Sequence, residues 1–262
     1  MCGIAGFSLG TTSTVDRTRA AQALLAGIAE RGADAVGYAH RSPGSGIVVH
    51  KQRSGASALL EQVVLPDDTR HALIHVRDYT KGHPRIEANN HPVRHGAVFG
   101  IHNGHIDNDD ALMARHGFER AERQMTVDSE VIFALAEANG GTARGFDEFR
   151  GSLAAAWLDE REPELLFLAR GVGRPLWVGT TRRELFFAST RDALEIAERY
   201  TGLRLRKREV SEGRVAAIKG ALAVRVEHFV PDPTYQPDSL PSARAPHEGA
   251  LTLQALAALA GA

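Results

Sequence analysis

The second residue of the chain is its only cysteine, and this position makes one chemistry possible. A thiol attacks a carbonyl as the thiolate, so it needs a base close by. If Met1 is removed, Cys2 carries a free α-amine, whose ordinary pKa of about 7.7–8.0 lets it accept the thiol proton. Small residues at positions 2 and 3 favour that removal. A lone cysteine is more often a buried apolar side chain, so the position alone is weak evidence.

The segment His102-Asn103-Gly104 offers donors for a developing oxyanion. A side-chain amide and a backbone N–H at adjacent positions are donor types that stabilise a carbonyl as it becomes tetrahedral. We expect a strand to end in a tight turn here. An ordinary Asn-Gly hairpin turn is the alternative interpretation.

Two charged residues are candidates for holding a substrate. Arg77 follows a predicted strand, and arginine suits bidentate binding of a carboxylate, although it is more often a surface charge. Asp128 precedes a predicted helix and could pair with a substrate ammonium, or simply cap that helix. Each residue has an ordinary structural explanation, and only their combination indicates one site.

Short strands and a few helices must position these residues. Strands are predicted at 2–9, 36–39, 47–51, 71–76, 97–102, 153–159, 165–169, 176–180, 185–188, 214–218 and 221–229, and helices at 16–30, 107–115, 129–138 and 191–199. This pattern predicts two packed antiparallel sheets flanked by helices. We expect one domain over residues 1–230, followed by a Pro-rich tail, 231–262, with a short Ala/Leu helix at 249–260.

Composition excludes several function classes. The formal net charge is 31 − 32 = −1, which gives no general attraction to nucleic acid or to an anionic membrane. No run of 18 apolar residues predicts a membrane span, and no basic segment followed by an apolar one predicts a secretory signal. A single cysteine cannot form an internal disulfide and suits the reducing cytoplasm, where we expect the protein.

Histidines 91, 95, 102 and 105 lie close together in the sequence. Their spacing fits no standard zinc pattern, and no cysteine accompanies them, so we predict ordinary hydrogen-bonding histidines and no metal.

Taken in order, these segments closely resemble the class II glutamine amidotransferase domain, an N-terminal nucleophile hydrolase. The motifs that carry the resemblance are Met1-Cys2-Gly3-Ile4, Arg31-Gly32-Ala33-Asp34, His75-Val76-Arg77 with Thr80 and Gly82, Asn90-His91-Pro92, His102-Asn103-Gly104 and Asp128-Ser129-Glu130. The resemblance covers roughly residues 2–230. It implies an α+β fold, a four-layer αββα sandwich of two mainly antiparallel sheets.

The resemblance also implies a mechanism. Cys2 would attack the side-chain amide of glutamine and form a γ-glutamyl thioester, with its α-amine as base and then as acid to the leaving ammonia. The Asn103 side chain and the Gly104 N–H would hold the oxyanion. Water would then release glutamate. No metal and no organic cofactor is implied.

For substrate binding, the resemblance implies that Arg77 holds the α-carboxylate of glutamine, Asp128 its α-ammonium, and that Thr80 lines the pocket. One departure concerns this step. After the arginine the family commonly has an aromatic and then a small residue, whereas this chain has Asp78 and Tyr79. The added carboxylate of Asp78 could weaken the binding of glutamine.

Three functional hypotheses remain open. Family members that make a product usually carry a synthase domain after the glutaminase domain, and only residues 231–262 follow here. The first is a glutaminase, standing alone or supplying ammonia to a separate synthase subunit. The second is an amidase for another γ-glutamyl compound. The third is a catalytically silent interaction module, which the joint presence of the site residues disfavours.

Overall fold

Two antiparallel sheets pack face to face in the computed structural model, which describes residues 2–237 and 241–261. The first sheet comprises β1 (Gly3–Leu9), β2 (Ala35–Arg41), β3 (Val48–Gln52), β4 (His71–Arg77), β9 (Trp177–Thr180), β10 (Glu184–Ala188) and β11 (Arg206–Glu209). The second comprises β5 (Val93–His95), β6 (Val98–Ile106), β7 (Gly151–Asp159), β8 (Leu166–Arg170), β12 (Arg214–Lys219) and β13 (Leu222–His228). Their spatial orders are β11-β9-β10-β1-β4-β2-β3 and β13-β12-β8-β7-β6-β5, so β1 is central in the first sheet.

Helices cover the outer face of each sheet. On the first sheet lie α1 (Arg17–Ile28) and α4 (Arg191–Thr201), with α5 (Pro246–Gly261) packed against α1. On the second lie α2 (Asp109–His116) and α3 (Glu130–Ala138). The predicted four-layer αββα sandwich is confirmed.

The core follows from the alternation of apolar residues along the strands. Ile4 and Leu73 of the first sheet meet Ile101 and Leu168 of the second in a buried layer between the sheets. Each sheet buries its other face under its own helices. Burial of these apolar surfaces is the main force that holds the layers together.

The central strand pair places two predicted site residues side by side. Every residue of β1 is buried, and β1 pairs with β4 so that Gly3 lies opposite Val76. A Cβ at Gly6 would clash with the carbonyl oxygen of Ala72, so glycine is needed for this close approach. Cys2, just before β1, therefore lies beside Arg77, the last residue of β4.

The structure corrects the prediction for the Asn-Gly dipeptide. We expected a strand over 97–102 that ends in a tight turn, with a hairpin turn as the alternative, and both are wrong. β6 continues to Ile106, with Asn103 opposite Ala154 and Gly104 opposite Leu153 of β7. A two-residue Asn-Gly turn usually requires positive φ at both residues, and only Gly104 has it.

Two smaller differences concern other elements. The short strand β5 was not predicted, because it is only three residues long and follows a polar segment that is typical of a loop. The C-terminal helix α5 begins at Pro246 rather than at 249, since proline is well suited to the first turn of a helix. Among the described residues, no helix is long and apolar enough to cross a bilayer.

Candidate active site

One pocket between the two sheets gathers most of the residues that the sequence singled out. Its lining includes Cys2, Arg77, Thr80, Gly104 and Asp128. They reach it from the start of β1, the end of β4 and its following loop, β6, and the segment before α3. Asn103 adjoins this lining through Gly104, but its own side chain is fully buried. Residues separated by more than 100 positions thus meet at one end of the sandwich.

The Cys2 thiol is half-buried and donates to the backbone oxygen of Asp78, with Sγ and oxygen 3.5 Å apart. Arg31 fixes the adjacent backbone, because its Nε donates to the Cys2 carbonyl at 2.9 Å. Burial raises the pKa of the thiol, and the contact with Asp78 and the charge of Arg77 offset this only in part. The thiol is therefore protonated at neutral pH, and a nucleophilic role requires a base.

The Arg77 guanidinium is 2% exposed and held by the protein itself. Nη1 donates to Oδ1 of Asn90 at 2.6 Å, and Nη2 donates to the carbonyls of Lys81, at 2.9 Å, and of Gly82. A guanidinium has five N–H donors, so two remain for a ligand. Asn90, which the sequence placed in a motif without a role, orients this cation.

Asp128 is buried and has two protein partners. Its Oδ2 accepts from the backbone N–H of Ile106 at 2.8 Å and lies 3.4 Å from Nδ1 of His105. Burial raises the pKa of this carboxyl, but the His105 and Ile106 contacts and nearby His102 outweigh it, so the pKa is lowered. The same contact with Asp128 raises the pKa of His105. Asp128 is no helix cap, because its carboxylate binds β6 instead.

The Asn103 amide, like the ring of His91, is a polar group near the pocket with neither of its polar atoms paired to a described residue. Its Nδ2 and Oδ1 are buried and have no hydrogen-bond partner among the described residues. Buried polar atoms in folded proteins nearly always have partners. Next to it, Gly104 has φ of +151°, and a Cβ there would clash with the Ser152 carbonyl oxygen. An unpaired amide beside an obligatory glycine leaves hydrogen-bonding capacity for a ligand.

Two buried histidines, His91 and His102, line the pocket, and a third, His75, contacts both of them. His75 and His91 stack with ring centroids 4.1 Å apart, and His75 contacts the His102 carbonyl oxygen at 3.1 Å. Burial lowers the pKa of all three, to about 3 for His75 and about 4 for His102. They are neutral at physiological pH. Within the described ranges, no group of side chains is arranged to hold a metal ion.

Sequence reasoning missed two features of this site. The first is the contact between His105 and Asp128. His105 directly follows Asn103-Gly104 in the sequence, but its partner is set by how the segment before α3 packs against β6. The second is Arg244, whose Nε lies 3.2 Å from Oδ2 of Asp78 and so brings the C-terminal segment to the edge of the pocket. No local pattern indicates that contact.

Comparison with known proteins agrees with this geometry. A family model described as a glutamine amidotransferase domain matches residues 69–196. The glutamine–fructose-6-phosphate aminotransferase (isomerizing) of Shigella flexneri is 30% identical over 207 residues, which cover 74% of this chain and 32% of that protein. The protein of the same name from Caulobacter vibrioides is 32% identical over 209 residues, covering 75% and 32%. The chain thus spans about a third of the length of these curated relatives.

Solved structures give the same fold at lower identity. Glutamine phosphoribosylpyrophosphate amidotransferase from B. subtilis, complexed with ADP and GMP, superposes with a TM-score of 0.64 at 19% identity, covering 87% of this chain and 49% of that one. A second structure, titled as the allosteric regulatory enzyme of purine biosynthesis, has a TM-score of 0.66 at 19% identity and the same coverage. At this identity the likeness concerns the fold.

Proposed function

Because this chain belongs to the glutamine amidotransferases of the N-terminal nucleophile hydrolase type, we propose that it hydrolyses the side-chain amide of glutamine with Cys2 as nucleophile. The observation that carries the proposal is the convergence of Cys2, Arg77, Gly104 and Asp128 on one pocket. The curated relatives are named as aminotransferases that act on glutamine and fructose 6-phosphate. We extend the proposal to a separate synthase partner that would accept the ammonia.

The chemistry follows from the order of proton transfers. After removal of Met1, the Cys2 α-amine takes the thiol proton, and Sγ attacks the amide carbon. The oxyanion accepts hydrogen bonds from the Asn103 amide and the Gly104 N–H. The α-ammonium returns its proton to the nitrogen, ammonia leaves, and a γ-glutamyl thioester remains. Water, deprotonated by the same amine, then attacks the thioester, which releases glutamate and restores the thiol.

Substrate recognition uses the charges at the two sides of the pocket. The remaining donors of Arg77 bind the α-carboxylate of glutamine, and Asp128 binds its α-ammonium, while Thr80 lines the pocket. The α-carboxylate and the α-ammonium of a free amino acid thus each meet a group of opposite charge. An assay of glutamate release from glutamine, with a γ-glutamyl alkylamide for comparison, tests the substrate. Turnover of the alkylamide with no turnover of glutamine would contradict the proposal and favour the alternative γ-glutamyl amidase.

We expect the KM for glutamine to fall as pH rises through the raised pKa of His105. Below that pKa, His105 is cationic and competes with the substrate ammonium for Asp128; above it, His105 is neutral and the carboxylate is available. In His105→Ala, the KM should be low, and nearly constant between about pH 5.5 and 8. The change in the unmodified protein should be about fivefold, because a partly exposed ion pair contributes about 1 kcal/mol or less.

His116→Ala is the matched control for this measurement. His116 pairs with Glu148, with Nε2 and Oε1 3.1 Å apart, on α2 outside the pocket. Its loss should leave the pH dependence of KM unchanged. A pH profile that persists in His105→Ala would contradict the competition.

Asp78→Ala should change the KM for glutamine by less than about fivefold, since the carboxylate pairs with Arg244 at a partly exposed position. Arg244→Ala removes this ion pair but keeps the negative charge beside Arg77. It should therefore raise KM more than Asp78→Ala does. Steady-state kinetics of both variants measure the difference, and the reverse order would show that Asp78 itself weakens substrate binding.

A further inference from the structure

A second cavity, of about 500 Å³, lies at the end of the sandwich opposite Cys2. It forms where the end of β1, the end of β2, the start of β4 and the β12–β13 turn meet, so both sheets contribute. A strand rises about 3.3 Å per residue, so the length of β1 separates this cavity from Cys2 by about 20 Å. Its volume is in the range of metabolite-binding sites. This is a site distinct from the Cys2 pocket.

The lining of this cavity is strongly basic. Its charged residues are Arg41, Arg70, Arg182, Arg183, Lys219 and Glu164. Five cations against one carboxylate give a formal local charge of 5 − 1 = +4, in a chain whose formal net charge is −1. The single carboxylate already pairs with Lys219. The remaining positive charge belongs to arginines.

These arginines differ in how many hydrogen bonds their guanidinium groups make within the protein. The Arg41 side chain is 2% exposed and donates to the carbonyls of Asp159, at 2.7 Å, and Glu162, at 3.2 Å, so it stiffens the wall. Arg183 makes one side-chain hydrogen bond with a described residue, from Nη1 to the Thr12 carbonyl oxygen at 3.3 Å. By contrast, the side chains of Arg70 and Arg182 have no hydrogen bond or ion pair with any described residue. Their guanidinium donors are available to a ligand.

His71 adds an unpaired ring nitrogen to the same cavity. The residue is 3% exposed, and its Nδ1 has no partner among the described residues. Burial, with the charges of Arg41 and Arg70, lowers its pKa to about 3, so the ring is neutral. A neutral imidazole has one N–H and one acceptor nitrogen, so the unpaired Nδ1 is open to a hydrogen bond in either role. A ligand hydroxyl could donate to it or accept from it.

We propose that this cavity binds a small phosphorylated metabolite. Arg70, just before β4, and Arg182 and Arg183, in the β9–β10 turn, bind the phosphate, since planar guanidinium groups suit its oxygens. A hydroxyl of the organic part hydrogen bonds with Nδ1 of His71. The cavity is far larger than a phosphate ion, which leaves room for that organic part. The site does not depend on the chemistry proposed for Cys2.

Calorimetric titration of the full chain with methyl phosphate and glycerol 3-phosphate, at constant ionic strength in chloride, tests the proposal. Both esters should bind saturably, and glycerol 3-phosphate, which has hydroxyl groups, should bind more tightly. The double variant Arg70→Ala/Arg182→Ala should bind both at least about tenfold more weakly, because charge-assisted hydrogen bonds are lost. Both positions are at the rim, and thermal melting of the variant checks that it folds.

Arg199→Ala is the control, because Arg199 is an exposed arginine on α4 outside the cavity. It should leave the affinity unchanged. Absence of saturable binding, unchanged affinity in the double variant, or an equal loss in Arg199→Ala would each overturn the phosphate site. Equal affinity for the two esters would overturn the role of His71. All of these outcomes are independent of whether the protein hydrolyses glutamine.

Discussion

Cys2→Ala should lower kcat for glutamine hydrolysis by about 10³-fold or more, because loss of a covalent nucleophile removes the whole thioester route. The chain has no second cysteine to replace it. The residue is half-buried at the start of β1, so the midpoint of thermal unfolding should change little. Ammonia release and thermal melting of the same preparation measure the two effects. A fall in activity that follows unfolding would not support the proposed role.

Cys2→Ser is the matched variant, since it keeps the size, the α-amine and the polar atom. Serine is a far weaker nucleophile at this pH, so its residual rate should also be low. A protein that keeps Met1 should be as inactive as Cys2→Ala, because its Cys2 nitrogen is an amide and accepts no proton. Intact-mass analysis with a diazo-ketone analogue of glutamine reports methionine loss and thiol labelling together. Full activity in a protein that retains Met1 would contradict the mechanism.

The fold was predictable because its signals are local and repeated. Apolar runs bounded by turn residues indicated nearly every strand, and Asp16 marked the start of α1, where its Oδ1 accepts from the Arg19 N–H at 2.8 Å. The order of short motifs then indicated which residues would share a site. Five of the six candidates line one pocket, although their catalytic and binding roles stay proposals.

The rest depended on packing that sequence spacing does not encode. The Arg77 guanidinium is oriented by Asn90 of the loop after β4, and Asp128 by His105 of β6. The strand that carries Asn103 continues past it because β7 supplies a long partner. The basic cavity collects arginines from the end of β2, the segment before β4 and the β9–β10 turn, and each of them looks like an ordinary surface charge in the sequence.

Asn103→Ala should lower kcat for glutamine by about 10²–10³-fold with little change in KM, because the amide binds the oxyanion of the transition state rather than the ground state. Its effect on stability should be small. The amide leaves two buried polar atoms without partners, and such atoms cost about 1–3 kcal/mol, which offsets the cavity that alanine creates. We therefore expect the free energy of unfolding to stay within about 1 kcal/mol.

Asn108→Ala should give the contrasting result. Asn108 also has a side-chain amide near the end of β6, but both ends of it are paired: Nδ2 donates to the Glu148 carbonyl at 2.9 Å, and Oδ1 accepts from the Arg150 N–H at 3.0 Å. Its loss should destabilise the fold by about 1–2 kcal/mol and leave kcat nearly unchanged. Kinetics and denaturant unfolding of both variants therefore separate an amide kept for catalysis from one kept for structure. If Asn103→Ala instead lowered stability and left kcat intact, the unpaired amide would not be an oxyanion donor.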